Sequence, residues 1–199
     1  MQLWLGADGH LVHYPVKAGA MINIVGIVAD DWQKPGWSEA SRRDEVLSRF
    51  SRWSWATPAR DLLAIPDRWL KWALYDLPPL PLRGTGPVTL LGDAAHPMLP
   101  FLAQGAAMAI EDAAVLAEAL KSRPQDPTAA MRAYEGLRGA RTARVQRSAR
   151  RMGRVYELAG PGATIRDAVM LGLGGARLLA RQDWIYTYDW KTDKPPTPV

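Results

Sequence analysis

The stretch over residues 90–113 carries the residue types best suited to holding a ligand. A short apolar run ends at Gly92-Asp93, a loop interrupted by proline follows, and an alanine-rich segment begins near Gln104. Small residues let a ligand approach the backbone, and a helix N-terminus offers free N–H groups at its positive end. An aspartate directly after a strand is well placed to accept hydrogen bonds from sugar hydroxyls. A loop followed by an alanine-rich core helix, with no ligand, fits the same residues equally well.

The charges in and around this stretch limit the chemistry that it could perform. No lysine or arginine lies between residues 90 and 120, so peptide dipoles would be the groups that favour an anion. The chain has no cysteine, which excludes a thiolate zinc site and a cysteine nucleophile. Its histidines, at positions 10, 13 and 96, come with no cluster of acidic ligands, and we predict no metal site.

The residues before position 84 are predicted to form a sheet with helical cover. Alternating and β-branched runs predict strands of one mixed sheet near residues 3–5, 10–16, 21–28 and 69–75. Helices are expected over residues 38–50 and 57–65. His10 and His13 then lie on opposite faces of one strand, because an odd separation reverses the side to which a side chain points.

After residue 84 the pattern becomes mainly helical. A short buried strand is predicted over residues 87–91, in a layer separate from the sheet. Helices are expected over residues 104–120, 127–151 and 165–180. The predicted fold class is therefore α/β (α+β), with the sheet and its helices first and the strand, loop and long helices after them.

The net charge of +5 is concentrated in one segment of the 199-residue chain. Eight arginines and a single acid lie between residues 132 and 154. Five of these arginines recur at every third position, from Arg138 to Arg150, and a helix turns every 3.6 residues. The row therefore winds around the helix, whereas docking into a nucleic-acid groove needs one stripe. A solvated, ion-paired helix is the favoured interpretation, and nucleic-acid binding that weakens steeply with salt is the alternative.

Residues 92–113 closely resemble the Gly-Asp motif of FAD-dependent aromatic hydroxylases, the single-component flavoprotein monooxygenases. The matching residues are Gly92, Asp93, Ala94, His96, Pro97, Gln104, Gly105, Glu111, Asp112 and Ala113. A histidine four residues before a Tyr-Pro pair, here His10 and Tyr14, is similar to the family's substrate-sheet strand. Residues 183–189 resemble the ending of salicylate and 6-hydroxynicotinate hydroxylases. Essentially the whole chain aligns with the later half of such an enzyme.

The resemblance implies an FAD site in residues 92–107. Asp93 corresponds to the aspartate that binds the sugar part of FAD, and the loop that leads into the helix lies along the flavin ring. The implied cofactor-binding residues are Gly92, Asp93, Pro97, Gln104, Gly105, Ala106 and Ala107. NAD(P)H is implied as the co-substrate that reduces the flavin.

The reaction that the resemblance implies is hydroxylation of a small hydroxybenzoate-like or hydroxynicotinate-like ring by a flavin hydroperoxide. A base that takes the phenolic proton would assist, and a histidine titrates in a suitable range. His10 matches the family position and is predicted to be this catalytic base, with Tyr14, Pro100 and Phe101 lining the substrate site. A hydrogen-bonded structural histidine of the sheet is the alternative for His10.

The family's first half is not found in this sequence. Such hydroxylases begin with a strand–G-x-G-x-x-G–helix unit that grips the FAD pyrophosphate, and nothing here matches it. We expect a C-terminal portion of the flavoprotein hydroxylase fold, without the N-terminal Rossmann unit and inactive alone. Its expected segments are a substrate-binding sheet over residues 1–83, an FAD-contacting segment over 84–123, and a helical segment with a tail over 124–199.

The expected partners are a small aromatic substrate and either a second copy of the chain or the missing N-terminal half. Nucleic acid and membrane are not expected as partners. The chain starts without a signal-peptide pattern, and no apolar run is long enough to span a bilayer, so a cytoplasmic location is expected. A non-catalytic remnant that binds a ligand or a partner is the competing function.

Overall fold

A computed structural model describes residues 1–53, 57–80 and 84–192. These residues form two compact units. Unit 1 comprises Met1–Leu74 and Arg154–Leu173, and unit 2 comprises Tyr75–Gly153 and Gly174–Val199. The three functional segments expected from the sequence stay a prediction.

Unit 1 contains a three-stranded antiparallel sheet. Its strands are β1 (Gln2–Gly6), β2 (Gly9–Val16) and β3 (Met21–Val28), in the spatial order β1-β2-β3. The β-branched run of β3 suits a strand, and the tight turn between β1 and β2 sets a register in which Leu5 faces His10. The three strands predicted for residues 3–28 are thereby confirmed.

A second, two-stranded antiparallel sheet corrects two of the sequence-based predictions. Strand β4 (Ser38–Arg42) pairs with strand β5 (Arg68–Trp72), so β5 does not join the first sheet and every pairing among the described strands is antiparallel. Residues 38–42 were expected to begin a helix. Pairing with β5 overrides the capping preference of Ser38, and helix α1 (Arg43–Arg49) starts five residues later with two acids in its first turn. Helix α2 (Thr57–Ala64) lies where the sequence predicts it.

The core of unit 1 lies between the first sheet and these helices. Leu11, Phe50, Trp53, Ala59 and Leu63 are buried together, and Trp4, Ile24 and Trp69 pack against them. A Cβ atom on Gly6 would lie within 3 Å of the Trp53 indole, so only glycine lets this ring approach the strand. Trp53 is thus a core residue, and the partly buried Trp69 packs against the same core.

Unit 2 is built around two long helices. Helix α3 is Gly105–Ser122 and helix α4 is Pro127–Tyr156, whose last three residues belong to unit 1. Both helices were predicted, with ends within five residues of those observed. Val115 and Ala119 of α3 pack against Ala130 and Tyr134 of α4.

Residues 87–91 were predicted to be a strand and are not one. The backbone at Leu91 is extended, with φ −139° and ψ 148°, but no described strand pairs with it. Side chains of α4 bond to the carbonyls instead: the Arg132 guanidinium donates to Val88 O at 2.8 Å and the Tyr134 hydroxyl to Leu90 O at 3.2 Å. The strand prediction is therefore wrong: residues 86–87 form a turn in which the Val88 N–H donates to Thr85 O at 3.2 Å, and the extended Leu91 lacks the hydrogen-bonded neighbour that a strand needs.

Two further helices complete the chain. Helix α5 (Gly160–Ala180) is interrupted at Gly174, where φ is +71°, and a short helix α6 (Asp183–Tyr186) follows. Helix α5 starts five residues before the predicted position. Among the described residues, no helix has the length and apolar character needed to cross a bilayer.

Candidate functional site

The Gly92–Ala94 turn presents Asp93 to solvent. Gly92 has φ +60°, which glycine adopts without strain, and its carbonyl accepts the N–H groups of Ala95 and His96 at 2.9 Å each. A 3-10 turn therefore forms over Gly92–Ala94, with Gly92 buried and Asp93 exposed. The acid that the sequence singles out is accessible to a ligand.

Asp93 lies beside the N-terminus of helix α3. A Cβ atom built on Gly105 would lie 3.7 Å from the Asp93 Oδ1 atom. The N-cap residue Gln104 makes no side-chain capping bond, and its amide donates instead to Leu102 O at 3.3 Å. The small residues Gly105, Ala106 and Ala107 form its first turn. An acceptor for hydroxyl groups and a set of helix N–H donors therefore lie next to each other on an open surface.

Asp112 of helix α3 binds the Gly92 turn through its side chain, which is fully buried. Its Oδ2 atom accepts the Gly92 N–H at 3.1 Å and lies 2.5 Å from His96 Nε2, and its Oδ1 atom accepts Arg138 Nε–H at 2.7 Å. Burial alone would raise the pKa of Asp112, but the hydrogen bonds from His96 and Arg138 outweigh it and hold the pKa below its ordinary value. The aspartate is therefore ionised and fully bonded.

The arginine row of α4 is only partly solvated. Arg138 is fully buried and binds Asp112 and Glu111, while Arg141, only 4% exposed, holds both Glu111 oxygens at 2.7 Å. The next arginine, Arg144, is exposed and lies over the Trp184 ring. The predicted winding and ion pairing of the row are confirmed, but its expected solvation is wrong for Arg138 and Arg141, which point inward and neutralise the acids of α3.

The rest of the loop is held by two other residues of α4. Gln146 donates its amide to Pro97 O at 2.9 Å. Phe101, in a second 3-10 turn over Pro100–Leu102, packs on Gly153, where a Cβ atom would come within 3 Å of three ring atoms. The loop thus follows α4 from Arg138 to Gly153, and it is anchored within unit 2.

His10 lies in unit 1, on the face of β2 opposite the core residue Leu11. It is 2% exposed, and its ring meets the Tyr156 ring edge-on at 5.2 Å. Burial lowers the pKa of His10 from 6.5 to about 4, so its imidazole is neutral at physiological pH. His13 lies on the other face and stacks on Trp4, as its odd separation from His10 predicts.

Tyr14 lies on the same face of β2 as His10, four residues later in the sequence. Its cross-strand partner is Asn23 of β3, whose amide donates to the Tyr14 hydroxyl at 2.8 Å. Because the hydroxyl oxygen accepts this bond, its own hydrogen is available for another acceptor. Sequence reasoning missed Asn23, although a polar residue inside an apolar strand was the available signal.

The candidate residues are divided between the two units. His10 and Tyr14 belong to unit 1, and the candidate cofactor residues, with Pro100 and Phe101, belong to unit 2. Among residues 1–53, 57–80 and 84–192, no group of three or more His, Asp or Glu side chains could hold a metal ion. The geometry of unit 2 fits the sugar and ring portions of a nucleotide cofactor, because an exposed carboxylate adjoins an uncapped helix N-terminus built from small residues.

Comparisons with known proteins give the family of the chain. The sequence profile of the family described as "FAD binding domain" matches residues 21–149. The chain is 38% identical over 191 residues to "3-hydroxybenzoate 6-hydroxylase 2" of Aquipseudomonas alcaligenes, covering 96% of this chain and 58% of that protein. It is also 38% identical to a salicylate hydroxylase of Pseudomonas putida, covering 96% of this chain and 45% of that protein.

Solved structures show the same likeness. A salicylate hydroxylase substrate complex superposes with a TM-score of 0.79 at 33% identity, over 99% of this chain and 50% of that chain. Klebsiella pneumoniae HpxO, complexed with FAD and uric acid, superposes with a TM-score of 0.70 at 27% identity, over 90% and 46% of the two chains. The chain spans about half the length of the relatives that it matches. It therefore belongs to the FAD-binding domain family and resembles the FAD-dependent aromatic hydroxylases within it.

Proposed function

We propose that the chain is the part of an FAD-dependent aromatic monooxygenase that binds the substrate and contacts the flavin ring. The observation that carries this proposal is the exposed Asp93 carboxylate beside the uncapped N-terminus of α3. Relatives named as hydroxybenzoate and salicylate hydroxylases support a small hydroxylated aromatic acid as substrate. NAD(P)H is the proposed reductant.

The residues of unit 2 are proposed to hold FAD by its sugar and ring. Asp93 would accept hydrogen bonds from the sugar hydroxyls, and Gly92 lets the chain turn so that this carboxylate points outward. The N–H groups of Gly105, Ala106 and Ala107 would face the ring, where helix-end dipoles favour negative charge. Pro97 and Gln104 lie at the two ends of the loop that leads into α3. When bound, FAD would supply the redox chemistry, in which two electrons from NAD(P)H and O₂ give a hydroxylated ring and water.

His10 is proposed to assist at the phenolic oxygen of the substrate. Tyr14, Pro100 and Phe101 are the other proposed substrate-binding residues. Its pKa of about 4 keeps the imidazole neutral, and this is the form that can accept a hydrogen bond from a phenol. With so low a pKa, His10 would not ionise the free phenol. It would stabilise the proton as it leaves while the ring is attacked. The Tyr14 hydroxyl, already accepting from Asn23, can donate its hydrogen to a substrate carboxylate.

The test combines the chain with the N-terminal, G-x-G-x-x-G half of a relative such as the P. putida salicylate hydroxylase. We expect FAD that survives gel filtration and aromatic-dependent NAD(P)H oxidation in the mixture, whereas the chain alone should bind FAD weakly, lose it on gel filtration and show no oxidation. Asp93→Ala should weaken FAD binding, whereas His10→Ala should leave FAD binding intact and slow hydroxylation. Equal loss of flavin in both variants contradicts these roles. Aromatic binding without restored oxidation favours a non-catalytic binding module instead.

The cellular context is proposed on the family resemblance alone. It implies a cytoplasmic protein whose partner is either a second copy or the N-terminal half. Size-exclusion chromatography with and without that half distinguishes the two partners.

A further inference from the structure

Three donors from separate parts of unit 2 converge on the Asp112 carboxylate. They are the backbone N–H of Gly92, the imidazole of His96 and the guanidinium of Arg138, at 3.1, 2.5 and 2.7 Å. The Asp112, His96 and Arg138 side chains are each at most 1% exposed. Since a carboxylate only accepts hydrogen bonds, His96 must donate from Nε2.

The charge of Asp112 is compensated inside the same cluster. Arg138 also lies 2.8 Å from Glu111, which in turn forms a two-point pair with Arg141. The charges of two acids on α3 are thus balanced by the charges of two arginines on α4. A carboxylate buried without such pairing would be strongly destabilised, so Arg138 is what allows Asp112 to remain ionised under the turn.

The two bonds from Asp112 to the turn fix both of its ends. One bond holds Gly92, the first residue of the turn. The other holds His96, which lies two residues after Ala94, the last residue of the turn. Asp93 lies between these two anchors and is exposed, so its direction depends on them. Fixing the Gly92 N–H and the His96 ring to one carboxylate therefore sets where the Asp93 carboxylate points relative to Gly105.

We propose that Asp112 is a positioning residue for the Gly92–His96 turn, which it holds through the Gly92 N–H and His96 Nε2 so that Asp93 faces the ligand. Its effect on the cofactor rests on the proposed function, but its effect on the turn does not. A purely structural role, in which Asp112 serves only to neutralise Arg138, is the alternative that the experiment must separate.

The experiment compares two double variants of the full chain by hydrogen–deuterium exchange without cofactor. Asp112→Leu alone leaves the buried Arg138 with Glu111 as its remaining carboxylate and is expected to be strongly destabilised, so Asp112→Leu/Arg138→Met replaces both partners by apolar groups. The matched control, Glu111→Leu/Arg141→Met, removes a neighbouring pair that joins the half-buried Glu111 to the buried Arg141, whose other hydrogen bonds go to the carbonyls of Trp184 and Ile185 and not to the described turn. We expect exchange at Gly92–His96 to become about tenfold faster in the first variant and to stay unchanged in the control.

Wild-type exchange over the turn in a folded Asp112→Leu/Arg138→Met variant overturns the proposal. A second measurement on the wild-type chain needs no variant: the His96 Nε2–H should give a slowly exchanging imidazole proton resonance at neutral pH. Its rapid exchange with water also overturns the proposal. Titration with FAD then separates the two claims, because a chain whose turn behaves as expected but never binds FAD refutes the proposed function alone. If the chain does bind FAD, the variant should bind about tenfold more weakly than the control.

Discussion

The two units each bury a histidine, and they do so by opposite means. His10 of unit 1 lies on a sheet face against the Tyr156 ring, and burial lowers its pKa to about 4. His96 of unit 2 lies against the ionised Asp112, within a cluster of two acids and two arginines. Unit 1 makes its histidine neutral by removing water, whereas unit 2 binds its histidine to a fixed negative charge.

The two environments suit the two histidines to different proposed roles: His10 to a reaction with substrate, and His96 to holding the backbone. A neutral imidazole on an apolar face is suited to accept a proton from a substrate during the reaction. An imidazole bonded to a buried carboxylate is suited to hold a backbone turn in one conformation. The same residue type therefore supports different roles in the two units, and each role predicts a different response to mutation and to pH.

Removal of Asp112 should give the largest effect. Asp112→Ala removes one of the two carboxylates that pair with the buried Arg138, and we expect a loss of about 3–5 kcal/mol in the free energy of unfolding. Urea unfolding measures this loss. Glu118→Gln, at an exposed acid of the same helix, is the control and should change stability by less than about 0.5 kcal/mol. A similarly small loss for Asp112→Ala would show that the cluster does not stabilise unit 2.

Acidification should give the second-largest effect, and it should distinguish the environments of the two histidines. The unfolded chain protonates His10 near pH 6.5 and the folded chain only near pH 4, so stability should fall by about 3 kcal/mol as the pH drops through this range. The Asp112 carboxylate, with its lowered pKa, keeps its contribution above pH 3.8 and loses it only at lower pH. His10→Gln should flatten the curve between pH 6.5 and 4, and His13→Gln should not. An unchanged drop in His10→Gln would contradict the assignment.

The contact of Phe101 with Gly153 should give an intermediate effect. Alanine favours a helix by about 1 kcal/mol over glycine, but its Cβ would overlap the Phe101 ring, so we expect Gly153→Ala to destabilise by about 1–2 kcal/mol. Thermal unfolding measures the change. In the background of Phe101→Ala the same substitution should become neutral or stabilising. If both backgrounds respond alike, the ring does not pack on α4.

Loss of the Gln146 amide should give the smallest effect. Gln146→Leu removes the hydrogen bonds to Pro97 O and Leu77 O, and we expect a loss of about 1 kcal/mol in the free energy of unfolding. Gln182→Leu, at a polar residue outside α4, serves as the comparison. Stability equal to that of the comparison variant would mean that Gln146 does not hold the loop.

Local patterns predicted the elements of the fold better than their pairing. The strands of residues 3–28 and the helices α2 to α5 follow from apolar periodicity and from glycine and proline signals. The sequence did not show that residues 68–72 pair with residues 38–42, because partner choice depends on contacts far apart in the chain. The strand expected over residues 87–91 is wrong for the same reason, because its pattern of apolar residues could not show that no described strand would pair with it.

The exposed residues of the candidate site were easier to predict than the buried residues that hold them in place. Asp93 and the small residues of the α3 start are recognisable from residue type and order. Asp112 was visible only as a motif match, yet it lies on the buried stripe of α3 with Met108, Val115 and Ala119. An acid on such a stripe signals a buried ion pair, but its partner Arg138 lies on another helix and could not be chosen from spacing alone.

An amide NMR titration of the chain with FAD measures whether residues 92–107 contact the flavin. Shifts are predicted for the amides of Asp93 and of Gly105, Ala106 and Ala107, with none in the sheet of residues 2–28. Asp93→Ala should weaken the titration about tenfold, and Glu118→Gln should leave it unchanged. Shifts confined to other residues, no shifts at all, or an Asp93→Ala titration equal to wild type would contradict the account.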